Sequence, residues 1–574
     1  MNKAWKITKT FNEKYRAQFK DCDDIVIQML FNREIKTEKE AEDFFHPVYE
    51  KMFDPYKLRD MDKAVKRIIQ ALDKKERIVI FGDYDVDGLT ATAVVYKVLE
   101  KLAPPARGEA KKRISFYIPH RMQEGYGLNK KAIDFLSTQK TNLIITVDNG
   151  ISNKDEVAYA KKKGMDVIIT DHHEVPKVLP NAVAIINPKR KDDKYPFKDL
   201  AGVGVAFKLV SALVSEINKK KKREVISPGH LKWYLDLVAL GTISDIVPLI
   251  GENRVIAHFG LVVLTKTRSV GLKALEKVAG IDFKNSDPYM VGFQISPRIN
   301  AAGRMAHAAT ALELLLTQDE GEAGVLAMKL EKLNRERQDI IAKNIDELKN
   351  EYSKKEVEKI LLLKNERWTA GIIGLIAGRM SEEFSRPTFC MAEEGGIIKG
   401  SVRSSVEFNV IETLSLFEKV FINYGGHKGA GGFSLKAEDY KVFCSQVIQY
   451  GKNKLKDEDL VSILNIEKEI ELGDIKPEVY KEIKKFEPFG HGNEEPLFLT
   501  RGVKVKEAKK VGKENTHTKL KLIKDGKEFS AILFNHGEMG DQLYYGKDLD
   551  IVYKITENEW NGRKNLELKI EDLK

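Results

Sequence analysis

Short apolar runs alternate with amphipathic stretches along the chain from about residue 75. The run Arg77–Phe81 predicts a buried strand, and apolar residues at helical spacing predict a helix over Thr90–Leu102. Further strands are predicted at Ile114–Ile118, Leu143–Val147, Val167–Thr170 and Val183–Ile186, with helices at Asn129–Ser137 and Asn153–Lys163. This alternation is typical of an α/β protein whose parallel sheet is covered on both faces. Active sites in such sheets lie beyond the carboxyl ends of the strands.

The pattern changes after this first unit. Helical spacing without proline predicts one long helix from Gly324 to about Lys355, which bridges two lobes. A second α/β unit follows, with a strand at Ile360–Leu363, a helix at Ile372–Phe384, a strand at Thr388–Ala392 and a glycine-dense run at Gly425–Phe433. Short alternating segments then predict a small β-barrel, with an OB-fold as the leading candidate. They are Val503–Lys510, Thr518–Ile523, Glu528–Phe534, Leu549–Ile555 and Asn565–Ile570.

These patterns divide the chain into segments. The first, residues 1–60, mixes aromatic and charged residues without a clear period and is interpreted as an N-terminal extension. The first α/β domain is predicted at 61–320, the connecting helix at 321–355, the second α/β domain at 356–454 and the barrel at 455–574. We expect the barrel to bind nucleic acid, because OB-folds offer a basic groove with aromatic platforms.

Composition and charge narrow the class of protein. Hydrophobic residues make up 42% and charged residues 32% of the 574, which is typical of packed cores rather than disorder. The net charge of +10 permits a polyanionic partner without requiring one. The three cysteines are too few and too far apart for a disulfide framework. Residues 1–10 lack an apolar signal core, and the apolar window 233–250 contains two aspartates and a proline, so we expect a cytoplasmic protein without a membrane span.

Three carboxylates follow the first predicted strand. Asp83, Asp85 and Asp87 occupy alternate positions directly after that strand. Side chains at alternate positions of an extended segment share one face. Clustered carboxylates repel one another unless a cation neutralises them, and hard divalent ions prefer oxygen ligands. The spacing therefore predicts a cation site, with plain surface acids as the alternative.

Further potential ligands follow two more strands and interrupt an apolar run. Asp148 comes directly after Leu143–Val147, and Asp171-His172-His173 comes directly after Val167–Thr170. Asp245 lies inside an apolar stretch, where a lone acid must be paired, metal-bound or exposed. Each alone could instead be a helix cap. In a parallel sheet they would gather at one edge, and a mixed Asp and His set favours manganese or magnesium over structural zinc.

Four ordered motifs resemble those of the DHH phosphoesterases. They are Asp-Tyr-Asp-Val-Asp-Gly at 83–88, Val-Asp-Asn-Gly at 147–150, Asp-His-His at 171–173 and Ser-Asp-Ile-Val-Pro at 244–248. The run at 425–433 is similar to the glycine-rich signature of the DHHA1 domain. Segments at 118–128, 297–304 and 486–493 are similar to those of the single-strand DNA exonucleases of this family. The likeness covers roughly residues 75–570.

The resemblance implies two divalent metal ions, Mn²⁺ or Mg²⁺. The implied ligand sets are Asp85 with Asp148, and Asp87, Asp148, His172 and Asp245, so that Asp148 bridges the ions. Some family members place a histidine four residues before the first ligand, where this chain has Phe81, so Asp83 or water would complete the first set. Two such ions can share a hydroxide and stabilise both oxygens of an in-line displacement. His173 is expected to contact the scissile phosphate.

The same resemblance implies residues that contact DNA. They are Arg121, Arg298, Asn300, Arg304, Arg403, Ser404, Gly426 and His427, together with His173. The arginines occur in polar, glycine-containing segments rather than on predicted helix faces, and guanidinium groups suit phosphate oxygens. Each arginine alone could instead be a solvated surface residue. In the barrel, Phe534, Tyr553 and Trp560 are candidate platforms for stacked bases, with a place in the barrel core as the alternative.

The resemblance implies an exonuclease that releases mononucleotides from single-stranded DNA, 5′→3′, in DNA repair and recombination. It further implies that a single-strand-binding protein and a helicase are partners and that the protein is a monomer. Two alternatives stay open: a small-substrate DHH phosphodiesterase acting on nanoRNA or cyclic dinucleotides, and an inactive DHH-like scaffold of a replication complex. A scaffold would have lost ligands, whereas this chain keeps all the residues expected to be catalytic: Asp85, Asp87, Asp148, His172, His173 and Asp245.

Overall fold

A computed structural model describes residues 3–20, 22–103, 113–353, 355, 357–560 and 563–574, with the backbone alone at 560 and 563. The first segment contains β1 (Ala4–Ile7), α1 (Glu13–Arg16), α2 (Asp24–Asn32) and α3 (Glu38–Phe45). β1 pairs in parallel with a strand at Ile463–Ile466, and α2 packs into the core of the C-terminal barrel. The expected N-terminal extension is therefore built into the folded molecule. Its helices span only four to nine residues, too few for a helical period to stand out.

The first α/β lobe, called the catalytic lobe because it contains the residues expected to be catalytic, is built on a parallel sheet, as predicted. Its first elements are α4 (Met61–Asp73), β2 (Ile78–Phe81), α5 (Val86–Leu102), β3 (Ile114–Tyr117), α6 (Lys130–Thr138), β4 (Leu143–Val147), α7 (Lys154–Lys162), β5 (Asp166–Thr170) and β6 (Ala184–Ile186). The strands lie in the order β3-β2-β4-β5-β6, all parallel. Strands β2 and β4 are fully buried because helices cover both faces. Helix α5 begins at Val86 rather than Thr90, because the Asp85 carboxylate accepts a hydrogen bond from the Gly88 N–H and caps it.

A helical layer completes this lobe. It contains α8 (Gly202–Lys221), α9 (Pro228–Lys232), α10 (Leu235–Ser244), α11 (Gly251–Leu264), α12 (Val270–Ala279), α13 (Ser296–Met305) and α14 (Ala309–Leu316). Helix α10 is buried on all sides, and its C-terminal end carries Asp245. Residues Met290–Ile295 form a π-helix directly before α13. π-Helices are rare in proteins, and those that do occur are often found at functional sites.

The predicted long helix is α15 (Glu320–Tyr352), which packs on both α/β lobes. The second lobe contains β7 (Leu361–Lys364), α16 (Ile373–Phe384), β8 (Thr388–Glu394), β9 (Ile397–Arg403), α17 (Val410–Leu416), β10 (Phe421–His427), β11 (Ala430–Lys436) and α18 (Tyr440–Lys454). Its sheet has the order β10-β11-β9-β8-β7, and the glycine-dense run is the β10–β11 hairpin. Strand β9 is absent from the predicted elements, because Lys399, Gly400 and Ser401 interrupt its apolar residues.

The C-terminal segment confirms the predicted OB-fold. It contains β12 (Ile463–Ile466), β13 (Lys468–Glu469), α19 (Pro477–Lys484), β14 (Phe498–Val511), β15 (His517–Lys524), β16 (Lys527–Leu533), β17 (Asp548–Trp560) and β18 (Arg563–Leu573). Strands β14, β15, β16, β18 and β17 are neighbours in that order, and pairing of β14 with β17 closes the barrel. Among the described residues, no helix is both long and apolar enough to cross a membrane.

Candidate active site

The predicted ligands meet at one edge of the parallel sheet. Strands β2, β4 and β5 run side by side in the same direction, so Asp83, Asp148 and Asp171 follow their carboxyl ends at one level. Asp148 has a φ of +61°, a left-handed conformation that is uncommon for a non-glycine residue and is found at functional sites. Asp245 approaches from another direction, at the end of α10.

His172 lies at the centre of the first cluster of ligands. Its Nε2 is 3.2 Å from Asp148 Oδ1, 3.5 Å from Asp245 Oδ2 and 3.8 Å from Asp87 Oδ2. Asp148 and His172 follow strands of the sheet, Asp87 lies in the first turn of α5 and Asp245 ends α10, so the four residues come from distant parts of the sequence. The structure thus brings together the whole second ligand set that the sequence predicts.

A second cluster joins Asp83, Asp85 and Asp148, whose carboxylate oxygens lie within 4.8 Å of one another. Asp148 belongs to both clusters, as a bridging ligand must. Phe81, at the position where the resemblance implies a histidine in some family members, is fully buried and stacks on Tyr117 at 5.3 Å between ring centroids. That position therefore contributes packing, and Asp83 stands beside Asp85 in its place.

Buried polar atoms in both clusters lack hydrogen-bond partners. Asp83 Oδ1, Asp148 Oδ1 and His172 Nε2 are shielded from solvent and bond to no partner among the described residues. Each such unsatisfied group costs about 1–3 kcal/mol. Burial, reinforced by neighbouring carboxylates, raises the pKa of Asp83 and Asp148 well above the ordinary range. Hard divalent cations would satisfy these atoms and relieve the repulsion, so the donor set fits them.

Asp87 is held by the beginning of α8. Its oxygens accept hydrogen bonds from the N–H groups of Gly202 at 2.6 Å and Val203 at 2.8 Å. Burial and the charge of Asp85 outweigh these bonds and raise the pKa of Asp87 to about 7. Gly202 permits the close approach, because a Cβ there would lie 2.5 Å from Asp148 Oδ1. Sequence reasoning missed Gly202, whose signal is the Gly-Val-Gly that opens this helix.

The two adjacent histidines have opposite electrostatic environments. Burial and the charge of His173 lower the pKa of His172 to about 3, so its imidazole is neutral. Burial also disfavours a charge on His173, but the hydrogen bond and charge of Asp171 outweigh it and raise that pKa to about 9. The His173 Nδ1–H donates to Asp171 Oδ1 at 2.8 Å, and the Tyr126 hydroxyl lies 3.1 Å from the same nitrogen. A neutral His172 suits metal ligation and a cationic His173 suits phosphate contact. Asp171, a potential ligand in the sequence, bonds to His173 here, and Tyr126 is absent from the predicted site.

Three arginines from separate elements converge beside the carboxylates. Arg121 follows β3, Arg304 lies at the end of α13 and Arg403 ends β9. Burial and mutual repulsion lower the pKa of Arg304 to about 9 and also lower that of Arg403. Arg304 Nε has no hydrogen-bond partner among the described residues. A cluster of guanidinium groups with an unused Nε donor on Arg304 fits a phosphate group.

Arg298 has a different environment from the other predicted arginines. It lies on α13 with Arg304, so the expectation that these arginines lie off helix faces is wrong for both. Pro297 is in the first turn of that helix, where its missing N–H is tolerated. Arg298 Nε donates to Glu331 Oε2 at 2.7 Å, and its Nη1 donates to the Gln294 carbonyl at 2.6 Å. Its guanidinium is thus engaged in an ion pair with α15. Asn300, on the same helix, is half-buried.

The glycine-rich hairpin adjoins Arg403, because Ala430 of β11 pairs with Arg403 of β9. Ser404 Oγ donates to the Val406 carbonyl at 2.9 Å, and the Ser404 N–H donates to the Gly429 carbonyl at 3.1 Å, which ties β9 to the hairpin. Gly426 has a φ of +145°, and a Cβ there would lie 2.3 Å from the Ala430 carbonyl oxygen. His427 lies near the tip of the hairpin. The pKa of its imidazole is lowered, mainly by the partial desolvation of the ring and then by the positive charges of Arg403 and His173. The ring is therefore electrostatically coupled to both groups.

The barrel's candidate platforms differ in exposure. Tyr553 is fully buried and shares a hydrogen bond with Thr500 at 2.8 Å, so its prediction as a platform is wrong. Phe534 is 41% exposed, with Lys569 Nζ 5.7 Å from its ring centroid. The side chain of Trp560 lies outside the described residues. Barrel aromatics alternate between core and surface, and the apolar pattern alone does not separate the two.

Comparison with known proteins agrees with this geometry. Three family models match: DHH family, N-terminal domain, over residues 77–242; DHHA1 domain over 357–453; and RecJ OB domain over 466–572. The single-stranded-DNA-specific exonuclease RecJ of Bacillus subtilis (strain 168) is 37% identical over 573 residues, which cover 99% of this chain and 70% of that protein. The chain belongs to the RecJ family. RecJ of Escherichia coli (strain K12), described in the same words, is 32% identical over 90% of each protein.

Solved RecJ structures share this architecture, in one case over the whole chain. RecJ from Thermus thermophilus in complex with Mn²⁺ superposes with a TM-score of 0.83 at 29% identity, covering 100% of this chain and 79% of that one. A second structure, exonuclease RecJ bound to manganese, is 33% identical with a TM-score of 0.58, covering 70% of this chain and 96% of that one. The predicted membership of the DHH phosphoesterases and the predicted domain types are thereby confirmed.

Proposed function

We propose that this chain is a RecJ exonuclease that hydrolyses phosphodiester bonds of single-stranded DNA at a centre of two divalent metal ions, Mn²⁺ or Mg²⁺. One observation carries the proposal: His172 Nε2 lies within 3.8 Å of carboxylates from three distant segments, in a chain 37% identical to a RecJ exonuclease. Release of mononucleotides, the 5′→3′ direction and a role in repair and recombination complete the proposal.

The chain's own residues divide the chemical tasks. Bound divalent ions supply a hydroxide near neutral pH and stabilise the departing oxygen. Asp85 and Asp148 would hold one ion, and Asp87, His172 and Asp245 together with Asp148 would hold the other. Asp83 lies beside the first set, and an ion there would pair with its buried Oδ1, which has no hydrogen-bond partner among the described residues.

His173 and the arginine cluster hold the phosphate. Because Nδ1 of His173 is committed to Asp171, its Nε2–H is the donor available to a non-bridging phosphate oxygen. Arg121, Arg304 and Arg403 surround a second position beside Asp85, where their charges stabilise a phosphate group of the strand. These residues therefore bind the phosphate backbone of the DNA strand, which is the same whatever the base sequence. We expect hydrolysis to depend little on sequence.

A cavity between the catalytic lobe and the barrel provides the path for the bases. Its volume is about 1050 Å³, and its lining includes Ile246, one residue beyond Asp245. Tyr289, directly before the π-helical segment, and Phe293, within it, line the same cavity and are 62% and 64% exposed. Their rings stack on each other at 4.7 Å and 26°. An exposed aromatic stack beside a nuclease centre suits unpaired bases, which present free π-faces whatever their identity.

Product analysis on end-labelled DNA tests the proposed function. We expect nucleotides to be released from a single strand and not from a blunt duplex, with Mn²⁺ or Mg²⁺ and not with a chelator. Labels at the 5′ and 3′ ends report the direction of digestion. Release from the duplex at an equal rate, or release in the presence of chelator, would contradict the proposal.

A pair of isosteric variants separates chemistry from folding. Asp87→Asn removes one ligand charge, and we expect metal-dependent nucleotide release to fall by at least about a hundredfold. Asp236→Asn is the matched control: this carboxyl is also fully buried, burial raises its pKa to about 6, and it bonds to Thr267 rather than to the cluster. We expect that variant to keep its activity. Nucleotide release preserved in Asp87→Asn would refute the two-metal assignment.

The alternatives from the sequence analysis are not favoured. A small-substrate phosphodiesterase has no need of the RecJ OB domain that matches residues 466–572. An inactive scaffold has no need of the converging ligands. A single-strand-binding protein and a helicase as partners, a monomeric state and a cytoplasmic location stay predictions.

A further inference from the structure

We propose that the entrance loop of the barrel, residues 486–493, positions the metal ligand Asp245, so that the catalytic lobe and the barrel build the catalytic centre jointly. The proposal rests on the proposed function, because it takes Asp245 as a metal ligand. It goes further in giving the barrel a second task beside DNA binding. The residues concerned are positioning residues, which act through Asp245.

The entrance loop touches the chain just beyond Asp245. The Leu249 N–H donates to the His491 carbonyl at 2.7 Å. The glycines of the loop make the contact close: a Cβ on Gly490 would lie 2.6 Å from Leu249 Cδ1, and a Cβ on Gly492 would lie 2.9 Å from Pro248 Cβ. Side chains larger than hydrogen at these two positions would therefore push directly on the segment that carries the ligand.

That segment needs outside support. Ile246, the residue after the ligand, has a φ of +58° and is 69% exposed. A β-branched residue in the left-handed region is strained, and such a conformation persists only when its surroundings hold it. On the catalytic side, Asn253 Nδ2 holds the Pro248 carbonyl at 3.0 Å. The bond from Leu249 to His491 and the two glycine contacts hold the segment from the barrel side.

The entrance loop is rigid enough to give this support. The Asn493 side chain is buried and donates to the carbonyls of Phe486 at 2.8 Å and Pro488 at 3.0 Å. The backbones of Gly490 and Asn493 also bond to each other, at 2.9 and 3.0 Å. Two facing bonds and a side-chain clamp leave the loop little freedom of its own. A displacement of the barrel is therefore transmitted to the ligand segment.

Arg254 fastens the same loop to the catalytic lobe. It lies on α11 and donates to the carbonyls of Phe486 at 2.9 Å, Glu487 at 2.7 Å and Lys485 at 3.2 Å. Its guanidinium also lies 3.8 Å from the ring centroid of Phe44. Helix α11 begins six residues after Asp245, so the segment that carries this ligand leads directly into α11. The same helix therefore bears Arg254, which binds the entrance loop, and follows the ligand segment.

A pair of glycine variants of the full chain tests the proposal. Gly492→Ala places a methyl group against Pro248, whereas Gly526→Ala is the matched control: both glycines have a φ of +73°, and nothing lies within 4 Å of a Cβ at 526. We expect Gly492→Ala to bind Mn²⁺ about tenfold more weakly, as outer-shell changes typically do. We expect Gly526→Ala to match the wild type. Free Mn²⁺ measured by electron paramagnetic resonance gives the affinity without any assay of activity.

A second measurement separates positioning from mere domain adhesion. On a dinucleotide, which is too short to reach along the barrel, the half-saturating Mn²⁺ concentration should rise in Gly492→Ala by the same factor. Unchanged Mn²⁺ affinity in a folded Gly492→Ala, with only a higher KM for long DNA, would overturn the proposal. If that variant does not fold, Arg254→Lys decides: weaker Mn²⁺ binding supports the proposal and unchanged binding overturns it. If the wild-type protein binds Mn²⁺ but releases no nucleotides, that result would instead contradict the proposed function.

Discussion

At the scale of single residues, the centre is a set of buried charges that oppose one another. Burial and then neighbouring carboxylates raise the pKa of Asp83, Asp148 and Asp245, and the same causes raise the pKa of Asp87 to about 7. His172 stays neutral among them. Protons and divalent cations are therefore alternative ways to relieve the same repulsion, and they compete for the same oxygens.

Because protons and cations compete in this way, the free energy of unfolding should depend on pH, and the pKa of Asp87 sets the pH range. Its folded pKa of about 7 lies above the unfolded value of about 3.9, so the stability it contributes without metal is complete below about pH 4 and is lost as the pH rises through about 7. Mn²⁺ binds the ionised form, so we expect it to raise the melting temperature more at pH 8 than at pH 5.5. Thermal unfolding with Mn²⁺ and with chelator at both pH values measures the difference. Asp87→Asn should reduce it, and an equal gain at both pH values would argue against the assignment.

At the scale of elements, buried strands were the most predictable part of the molecule. β4 has the predicted bounds and β5 begins one residue earlier, because a strand covered on both faces keeps an unbroken apolar sequence. Their parallel arrangement also accounts for the predicted convergence of Asp148 and His172. The contacts of Gly202 and Tyr126 depend on tertiary neighbours, and no periodicity along the chain records them.

The π-helical segment is an element that the pattern did not predict, and it carries a prediction of its own. Replacing both Tyr289 and Phe293 with Ala removes the exposed stack, and we expect the KM for single-stranded DNA to rise about fivefold or more, since base stacking contributes about 1–3 kcal/mol per base. Hydrolysis of a dinucleotide should change little. Phe135→Ala is the control, because this aromatic is also about half exposed (51%) but lies on α6. An equal loss of activity on single-stranded DNA and on the dinucleotide would mean that Tyr289 and Phe293 stabilise the fold of the lobe rather than bind bases.

At the scale of the whole molecule, the N-terminal segment and the barrel form one body. Ile27, Met29 and Leu30 of α2 are buried in the same core as the barrel residues Leu520 and Ile551. β1 adds a parallel pair with β12, and an ion pair of 2.9 Å joins Arg33 to Glu467. In the sequence, the catalytic lobe and the second α/β lobe therefore lie between two terminal segments that fold together.

This closure predicts an unequal outcome for two truncations. A chain of residues 1–454 keeps α2 but loses its core, whereas a chain of residues 47–454 loses both. Exposing a large apolar side chain costs about 1.5–3 kcal/mol, so we expect the shorter chain to be the better folded, with less binding of a hydrophobic dye and a sharper thermal transition.

Both truncated chains lack the entrance loop, so both should bind Mn²⁺ with the same weakened affinity. Equal folding of the two would mean that α2 finds another core. Wild-type Mn²⁺ affinity in a well-folded 47–454 chain would mean that Asp245 keeps its position without the barrel. The folding role of the N-terminal segment and the positioning role of the entrance loop thus have separate measurements, and either can fail while the other stands.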